Sequence, residues 1–195
     1  MAAVADAARG HRMIGIVGAP GAGKSTVGHA LVELLPHAVL LPMDGFHLPQ
    51  ARLVELGRRD RMGAPDTFDV DAFVDTLAAV RNAGEVVTAP GFDRAIEEAV
   101  PDQLSITPAF LTVVVEGNYL LLDDGGWERV APLLDVTFFV HVPRDIRHRR
   151  LIERHIAFGK SAEDAAAWTL GPDEANARLI EATAAGADHM IALDG

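Results

Sequence analysis

The segment Gly18-Ala19-Pro20-Gly21-Ala22-Gly23-Lys24-Ser25 has the residue types and spacing of a phosphate-binding loop, G-x-x-x-x-G-K-[ST]. Glycines let successive backbone N–H groups turn toward phosphate oxygens, and the helix expected to follow adds its positive dipole end. Lys24 would reach the β- and γ-phosphates, and the Ser25 hydroxyl would coordinate Mg²⁺. The motif predicts a site for ATP and Mg²⁺ that contains Gly18, Ala19, Gly21, Ala22, Gly23, Lys24, Ser25 and Thr26.

Two acidic residues each follow an apolar run that is typical of a parallel strand. Asp44 comes after residues 39–43, and Glu116 comes after residues 111–115. Because ligands bind at the carboxyl ends of parallel strands, we expect both acids on the edge that carries the phosphate loop. Asp44 is predicted to orient a hydroxyl group and accept its proton, and Glu116 to hold Mg²⁺ through water. An ordinary helix cap or loop acid is the alternative for each residue.

Short apolar runs alternate with longer amphipathic runs along the chain, a pattern that is typical of an α/β fold. Strands are predicted at residues 13–17, 39–43, 86–89, 111–115, 136–142 and 190–193. Helices are predicted at residues 25–35, 70–81, 127–134, 145–156, 162–168 and 173–184. Nearly continuous apolar strands indicate a doubly wound, mainly parallel five-stranded sheet that is covered by helices on both faces.

The length and composition argue against several classes of protein. A chain of 195 residues fits one compact domain, here residues 1–195. The net charge of −11 disfavours broad binding of nucleic acid or anionic membranes. No cysteine is present, and the apolar runs are shorter than the roughly 20 residues of a membrane helix, so we expect a soluble cytoplasmic protein. Residues 1–12 are interpreted as a frayed segment that resembles no targeting peptide.

Six motifs in the same order resemble the phosphoribulokinase, uridine kinase and bacterial pantothenate kinase group of P-loop kinases, over residues 14 to about 193. They are GAPGAGKST at 18–26, PMDGFHLP at 42–49, MGAPDTFDVDAF at 62–73, TAPGFDR at 88–94, VVVEGNYLL at 113–121 and RRLIERHIAFGKS at 149–161. The MDGFH and EGNYLL forms look most like small bacterial kinases described as nucleoside kinase-like or fructose-transport-associated.

The resemblance implies a P-loop NTPase fold and transfer of the γ-phosphate of ATP to a hydroxyl of a sugar, a nucleoside or a pantothenate-like acceptor. It implies that Asp44 is the base and that Glu116 takes the strand-end position of the family's glutamate. By analogy with this group, a homodimer is a further hypothesis.

The resemblance also implies a helical lid that carries arginines, here at about residues 145–170. Arg147, Arg150 and Arg154 are spaced to share one helical face, and Lys160 follows a glycine that would act as a hinge. Arg150 and Arg154 are predicted to neutralise the phosphate during transfer, and Lys160 to contact the nucleotide. A solvated basic face is the alternative interpretation.

Polar and aromatic residues near the predicted strand ends are the candidates for binding the acceptor. Hydrogen-bonding side chains would suit a polyol, and aromatic rings would suit a nucleoside. The candidates are Asp44, Phe46, His47, Phe68, Asp93, Arg94, Asn118 and Tyr119. A structural role is the alternative for His47, and a salt bridge to Asp93 or Glu97 is the alternative for Arg94.

Two other functions stay open at this point. One is a nucleotide-binding regulator that hydrolyses ATP without an acceptor. The other is a kinase of nucleoside monophosphates, which would need a second phosphate site. Arg58, Arg59 and Arg61 could bind a phosphorylated acceptor, although the sequence favours a solvated basic turn.

Overall fold

The computed structural model describes residues 1–82 and 84–193. Its main sheet has five parallel strands in the order β2-β5-β1-β6-β7. These strands are β1 (Met13–Val17), β2 (Ala38–Pro42), β5 (Thr112–Gly117), β6 (Val136–His141) and β7 (His189–Ala192). The α/β class and the five-stranded parallel sheet are therefore confirmed.

Helices cover both faces of this sheet, as the apolar strands predicted. They are α1 (Ala2–Ala8), α2 (Lys24–Leu34), α3 (Gln50–Glu55), α4 (Val70–Asn82), α5 (Arg144–Ala157), α6 (Ala162–Trp168) and α7 (Glu174–Ala182). On one face Ala8 and Leu31 pack against Ile14 and other strand residues. On the other face Phe73 and Ile180 join a second apolar cluster. Within the described ranges, no helix combines the length and the apolar character that a membrane crossing requires.

Two predicted elements differ from the structure. Residues 1–12 are not a frayed segment, because α1 is formed and its Ala5 and Ala8 are 4% and 0% exposed. Residues 127–134 do not form one helix but two short 3₁₀ turns, Trp127–Arg129 and Ala131–Leu133. A proline in the second turn lacks the N–H that a continuous helix would need.

A separate antiparallel hairpin stands next to the main sheet. It consists of β3 (Val87–Asp93) and β4 (Glu98–Ile106). The sequence predicted only the start of β3, at residues 86–89, and missed β4. Most of β4 is exposed or half-buried, so its sequence lacks the apolar run that marks the strands of the main sheet.

The hairpin contacts the 3₁₀ turn Met43–Phe46, which follows β2 and contains Asp44. Gly45 makes this contact possible, because a Cβ atom at this position would lie 2.2 Å from the backbone oxygen of Pro90 in β3. The turn and the hairpin therefore fix each other's position, and with it the position of the Asp44 side chain.

We expect Gly45→Ala to destabilise the protein by about 1–3 kcal/mol, because the added methyl group meets backbone that cannot rotate away. Urea unfolding followed by circular dichroism measures this change. Gly186→Ala is the matched control, since a Cβ there has no atom within 4 Å. Equal stability of the two variants would contradict the close packing of turn and hairpin.

Candidate active site

The loop between β1 and α2 forms the first end of the site. Gly21 has a φ of +78°, and a Cβ atom on it would lie 2.9 Å from the carbonyl oxygen of Arg147 in α5. Only glycine combines this backbone conformation with so close an approach. The loop therefore packs tightly against α5, the helix that begins the predicted lid.

Lys24 begins α2 and its Nζ donates a hydrogen bond to the carbonyl oxygen of Ala19 at 3.2 Å. Burial lowers the pKa of Lys24 to about 8, although the nearby carboxylates of Glu116 and Asp44 oppose this shift. An ammonium group that is half-buried gains from a bound anion, because the anion restores favourable interactions that the lost water would have supplied. The position suits contact with phosphate.

Ser25 and Glu116 bring hydroxyl and carboxylate oxygens together. Ser25 Oγ donates to Glu116 Oε1 at 2.9 Å and lies 3.1 Å from Oε2. Glu116 is 6% exposed at the end of β5, paired in register with Ile16 of β1 and Pro42 of β2. Burial raises the pKa of Glu116, and Lys24 opposes the rise. Oxygen ligands of this kind fit Mg²⁺, which uses one or two protein oxygens together with phosphate oxygens and water.

Asp44 lies at the end of β2 and forms an ion pair with the hairpin. Arg94 Nη2 donates to Asp44 Oδ2 at 2.6 Å. Burial alone would raise the pKa of Asp44, but the charges of Arg94, His47 and Lys24 hold it below its usual value. Arg94 therefore pairs with Asp44 and not with Asp93 or Glu97, the partners that the alternative interpretation of Arg94 named.

His47 is fixed beside Asp44 by a hydrogen bond and two aromatic contacts. Its Nδ1 lies 2.8 Å from the carbonyl oxygen of Asp44, and because a carbonyl only accepts, this nitrogen carries the proton. The imidazole ring lies 4.0 Å from the ring of Phe68 and 4.8 Å from that of Phe92. Burial lowers the pKa of His47, although Asp44 opposes the shift. The side chain also lines the cavity, so both interpretations of His47 are compatible with its position.

One cavity of about 290 Å³ connects the phosphate loop with Asp44. It brings together most of the residues that the sequence singled out. Those that line it are Gly21, Gly23, Lys24, Ser25, Thr26, Asp44, His47, Phe68, Arg94, Glu116, Asn118, Arg150 and Arg154. Gly18, Ala19 and Ala22 are buried behind this lining, in the body of the loop.

Two aromatic residues predicted to bind the acceptor belong instead to the apolar core. Phe46 is 4% exposed, and its ring lies 5.0 Å from that of Phe73. Tyr119 is 1% exposed, and its hydroxyl donates to the carbonyl oxygen of Gly63 at 2.5 Å. Neither side chain lines the cavity, so we remove both from the predicted acceptor contacts.

Two charged residues also lie outside the cavity lining. Asp93 Oδ1 accepts a hydrogen bond from the backbone N–H of Ala95 at 2.8 Å and stabilises the hairpin turn. Lys160 Nζ lies 4.7 Å from the ring centroid of Trp168 and lines a different groove. The ammonium group of Lys160 therefore makes a cation–π contact with Trp168 and does not line the cavity that contains the phosphate loop.

The three arginines that the sequence grouped on one face of α5 do not share one environment. Arg150 Nη1 lies 3.5 Å from the carbonyl oxygen of Gly21, and both Arg150 and Arg154 line the cavity. Arg147 is 1% exposed and contacts Glu174 and Glu181 instead. Arg147 therefore connects α5 to α7 and belongs to the structural framework.

Several cavity residues were not singled out by the sequence. Arg59, which the sequence placed in a solvated turn, lines the cavity and donates to Glu97 Oε2 at 2.6 Å. Its neighbours Arg58 and Arg61 pair with the half-exposed Asp66. The others include Met62, Gly63, Phe92, His155 and Phe158, which lie inside the motifs of the family resemblance, and Trp168, Asp173 and Asn176, which lie outside all of these motifs.

Comparison with known proteins gives consistent matches. The family described as Phosphoribulokinase / Uridine kinase family matches residues 13–192. The uncharacterized protein YggC of Escherichia coli K12 is 38% identical over 167 residues, which are 83% of this chain and 69% of that protein. A provisionally named uridine kinase of Schizosaccharomyces pombe is 32% identical over 185 residues, which are 87% of this chain and 77% of that protein.

A solved structure supports the same assignment. It is a crystal structure of a protein from Silicibacter sp. TM1040 that carries the provisional name fructose transport system kinase. It aligns with a TM-score of 0.89 and 35% identity, over 97% of this chain and 98% of that chain. The fold and the order of elements are therefore shared along nearly the whole length of both chains.

Proposed function

Since the chain belongs to the phosphoribulokinase and uridine kinase family and is a small-molecule kinase that uses ATP, we propose that Asp44 receives the proton of the acceptor hydroxyl. The acceptor classes that we propose are a sugar, a nucleoside or a pantothenate-like alcohol. The provisional name of the Silicibacter relative favours a sugar among them.

The observation that carries this proposal is the placement of Asp44 in the cavity that also contains Lys24 and Ser25. Arg94 occupies one carboxylate oxygen of Asp44, which leaves Oδ1 for a hydroxyl hydrogen. A weakly basic carboxylate suits this chemistry, because a loose transition state needs the proton removed late and depends mainly on positioning.

The remaining roles follow from charge and position. Lys24 and the loop amides would hold the β- and γ-phosphates, and Ser25 with Glu116 would hold Mg²⁺. When bound, Mg²⁺ supplies positive charge against the phosphate oxygens. Arg150 and Arg154 would neutralise charge from the lid that we infer at about residues 145–170. The homodimer and the cytoplasmic location stay predictions.

A phosphorylated acceptor fits the site less well than a neutral one. Arg94 is paired with Asp44, and Arg59 is paired with Glu97. The charges of these two arginines, which line the cavity where it borders the hairpin, are therefore already neutralised. A kinase of nucleoside monophosphates needs positive charge that is free to bind the second phosphate. This observation favours acceptors without a phosphate group.

We expect ADP release to be stimulated by a member of a panel of sugars, nucleosides, pantothenate and nucleoside monophosphates, with the phosphate monoester detected by mass spectrometry. Stimulation by a compound that carries a free hydroxyl and no phosphate supports the proposal. Turnover that is independent of every acceptor would indicate the nucleotide-binding regulator. Stimulation by monophosphates alone, with a diphosphate product, would indicate the monophosphate kinase.

A further inference from the structure

An amide without a partner faces the cavity from α7. Asn176 is 8% exposed and lines the cavity, and no residue within 1–82 or 84–193 makes a hydrogen bond to its side chain. The amide is accessible from the cavity, so a molecule bound there can accept from its N–H groups and donate to its oxygen.

Asp173 lies beside Asn176 at the end of the π-helical turn Thr169–Asp173. It is 8% exposed and lines the same cavity. Its Oδ2 accepts a hydrogen bond from His155 Nε2 at 2.8 Å, which leaves Oδ1 for another donor. Residues three positions apart on a helix are neighbours on its surface, and π-helical turns are frequent at functional sites.

The surroundings of this pair include Gly63 and Arg154, which line the same cavity. A Cβ atom on Gly63 would lie 3.8 Å from Asn176 Nδ2, so Asn176 meets the segment that follows Arg59. Burial lowers the pKa of Arg154, Arg94 lowers it further, and Asp173 and Asp44 oppose the shift. Arg154 therefore lies within electrostatic reach of both Asp173 and Asp44, and all three residues line the cavity.

We propose that Asp173 and Asn176 form a second acceptor-binding wall that recognises a neutral polyol through hydroxyl groups beyond the one that is phosphorylated. This inference rests on the function proposed above. A carboxylate accepts from a hydroxyl, whereas a carboxamide both donates and accepts, so adjacent hydroxyls satisfy both side chains. An acceptor with a carboxylate at this end, such as pantothenate, would face the like charge of Asp173.

Asp173→Asn and Asn176→Leu test the wall, with D-fructose, uridine and pantothenate as probes. For the neutral probe that wild type phosphorylates, we expect KM to rise about 10- to 100-fold in each variant, with KM for ATP unchanged. Asp173→Asn should also raise kcat/KM for pantothenate relative to the neutral probe. Asn176→Leu breaks no hydrogen bond of the structure, so its effect reports on acceptor binding and not on folding.

Asp71→Asn is the matched control, because it makes the same chemical change in an exposed side chain that pairs with Arg129 outside the cavity. We expect it to leave both KM values unchanged. If both wall variants keep the wild-type KM for a neutral acceptor, the inference is overturned while the kinase function stands. A wild-type preference for pantothenate over both neutral probes overturns it in the same way.

Failure of the proposed function gives a different result, namely ADP release that no probe stimulates. Acceptor binding is then measured by thermal shift with a non-hydrolysable ATP analogue and millimolar D-fructose or uridine. Stabilisation of wild type that is lost in Asn176→Leu supports the wall without phosphate transfer. Absence of stabilisation by both neutral probes overturns the inference together with the function.

Discussion

Asp44→Asn is expected to lower kcat by about 10²–10⁴-fold, while the affinity for ATP changes little. The amide keeps the shape of the side chain but neither accepts a proton nor carries the charge that pairs with Arg94. Asp44 lies at the acceptor side of the cavity, so phosphate contacts made by Lys24 and the loop remain. Steady-state kinetics with the acceptor found by the panel measures kcat, and calorimetry measures ATP binding.

Two comparisons make this result specific to Asp44. Asp71→Asn repeats the chemical change at an exposed position and should retain wild-type turnover. Loss of the ion pair with Arg94 lowers thermal stability in either case, so ATP affinity separates the two roles. A merely structural role of Asp44 would lower ATP affinity together with kcat, whereas a role in the reaction lowers kcat and leaves ATP affinity unchanged. Full activity of Asp44→Asn with the true acceptor would show that proton acceptance lies elsewhere.

The nucleotide end of the site could be predicted because its chemistry is local. The phosphate loop is one continuous segment, and the conformation of Gly21 and the start of α2 follow from residues inside it. Asp44 and Glu116 could also be predicted, because the carboxyl ends of parallel strands meet at one edge of the sheet and ligands bind there. The register of β5 with β1 and β2 places Glu116 there.

The acceptor end depends on contacts between distant segments, which no local pattern encodes. Arg94 reaches Asp44 across 50 positions of sequence, through a hairpin whose second strand is too polar to be predicted. Phe46 ends a 3₁₀ turn and His47 follows it, yet Phe46 enters the core and His47 lines the cavity. Irregular backbone has no regular spacing of side chains, so the sequence could not predict which of these two side chains points into the core and which into the cavity.

The predicted lid region shows a third reason why the sequence did not predict the whole site. Helical spacing grouped Arg147 with Arg150 and Arg154, but α5 contacts the phosphate loop through one face and α7 through another, so its faces differ more than its sequence suggests. The π-helical turn before α7 adds a residue to the helical period and changes which side chains face the cavity. For that reason Asp173 and Asn176 carried no signal in the sequence.

Lys24→Met is expected to lower kcat/KM for ATP by about 10²–10³-fold, because it removes a preorganised cation from the phosphate loop. The methionine side chain has similar length and fills the same space, so the fold should be retained. Circular dichroism and thermal unfolding check the fold, and initial rates at varied ATP concentration check the activity. If this variant kept the wild-type kcat/KM for ATP, the result would show that Lys24 does not contribute to phosphate binding.

The low pKa of Lys24 predicts a pH dependence that identifies the same group. Because burial holds the pKa of the free protein at about 8, the ammonium loses its proton as the pH rises through that value, and kcat/KM for ATP should fall on the alkaline side. Bound phosphate favours the charged form, so kcat should fall only at higher pH. Lys24→Arg keeps its charge throughout this range. Its kcat/KM is expected to be lower than that of wild type but flat with pH, and an alkaline fall that persists in Lys24→Arg would assign the titration to another residue.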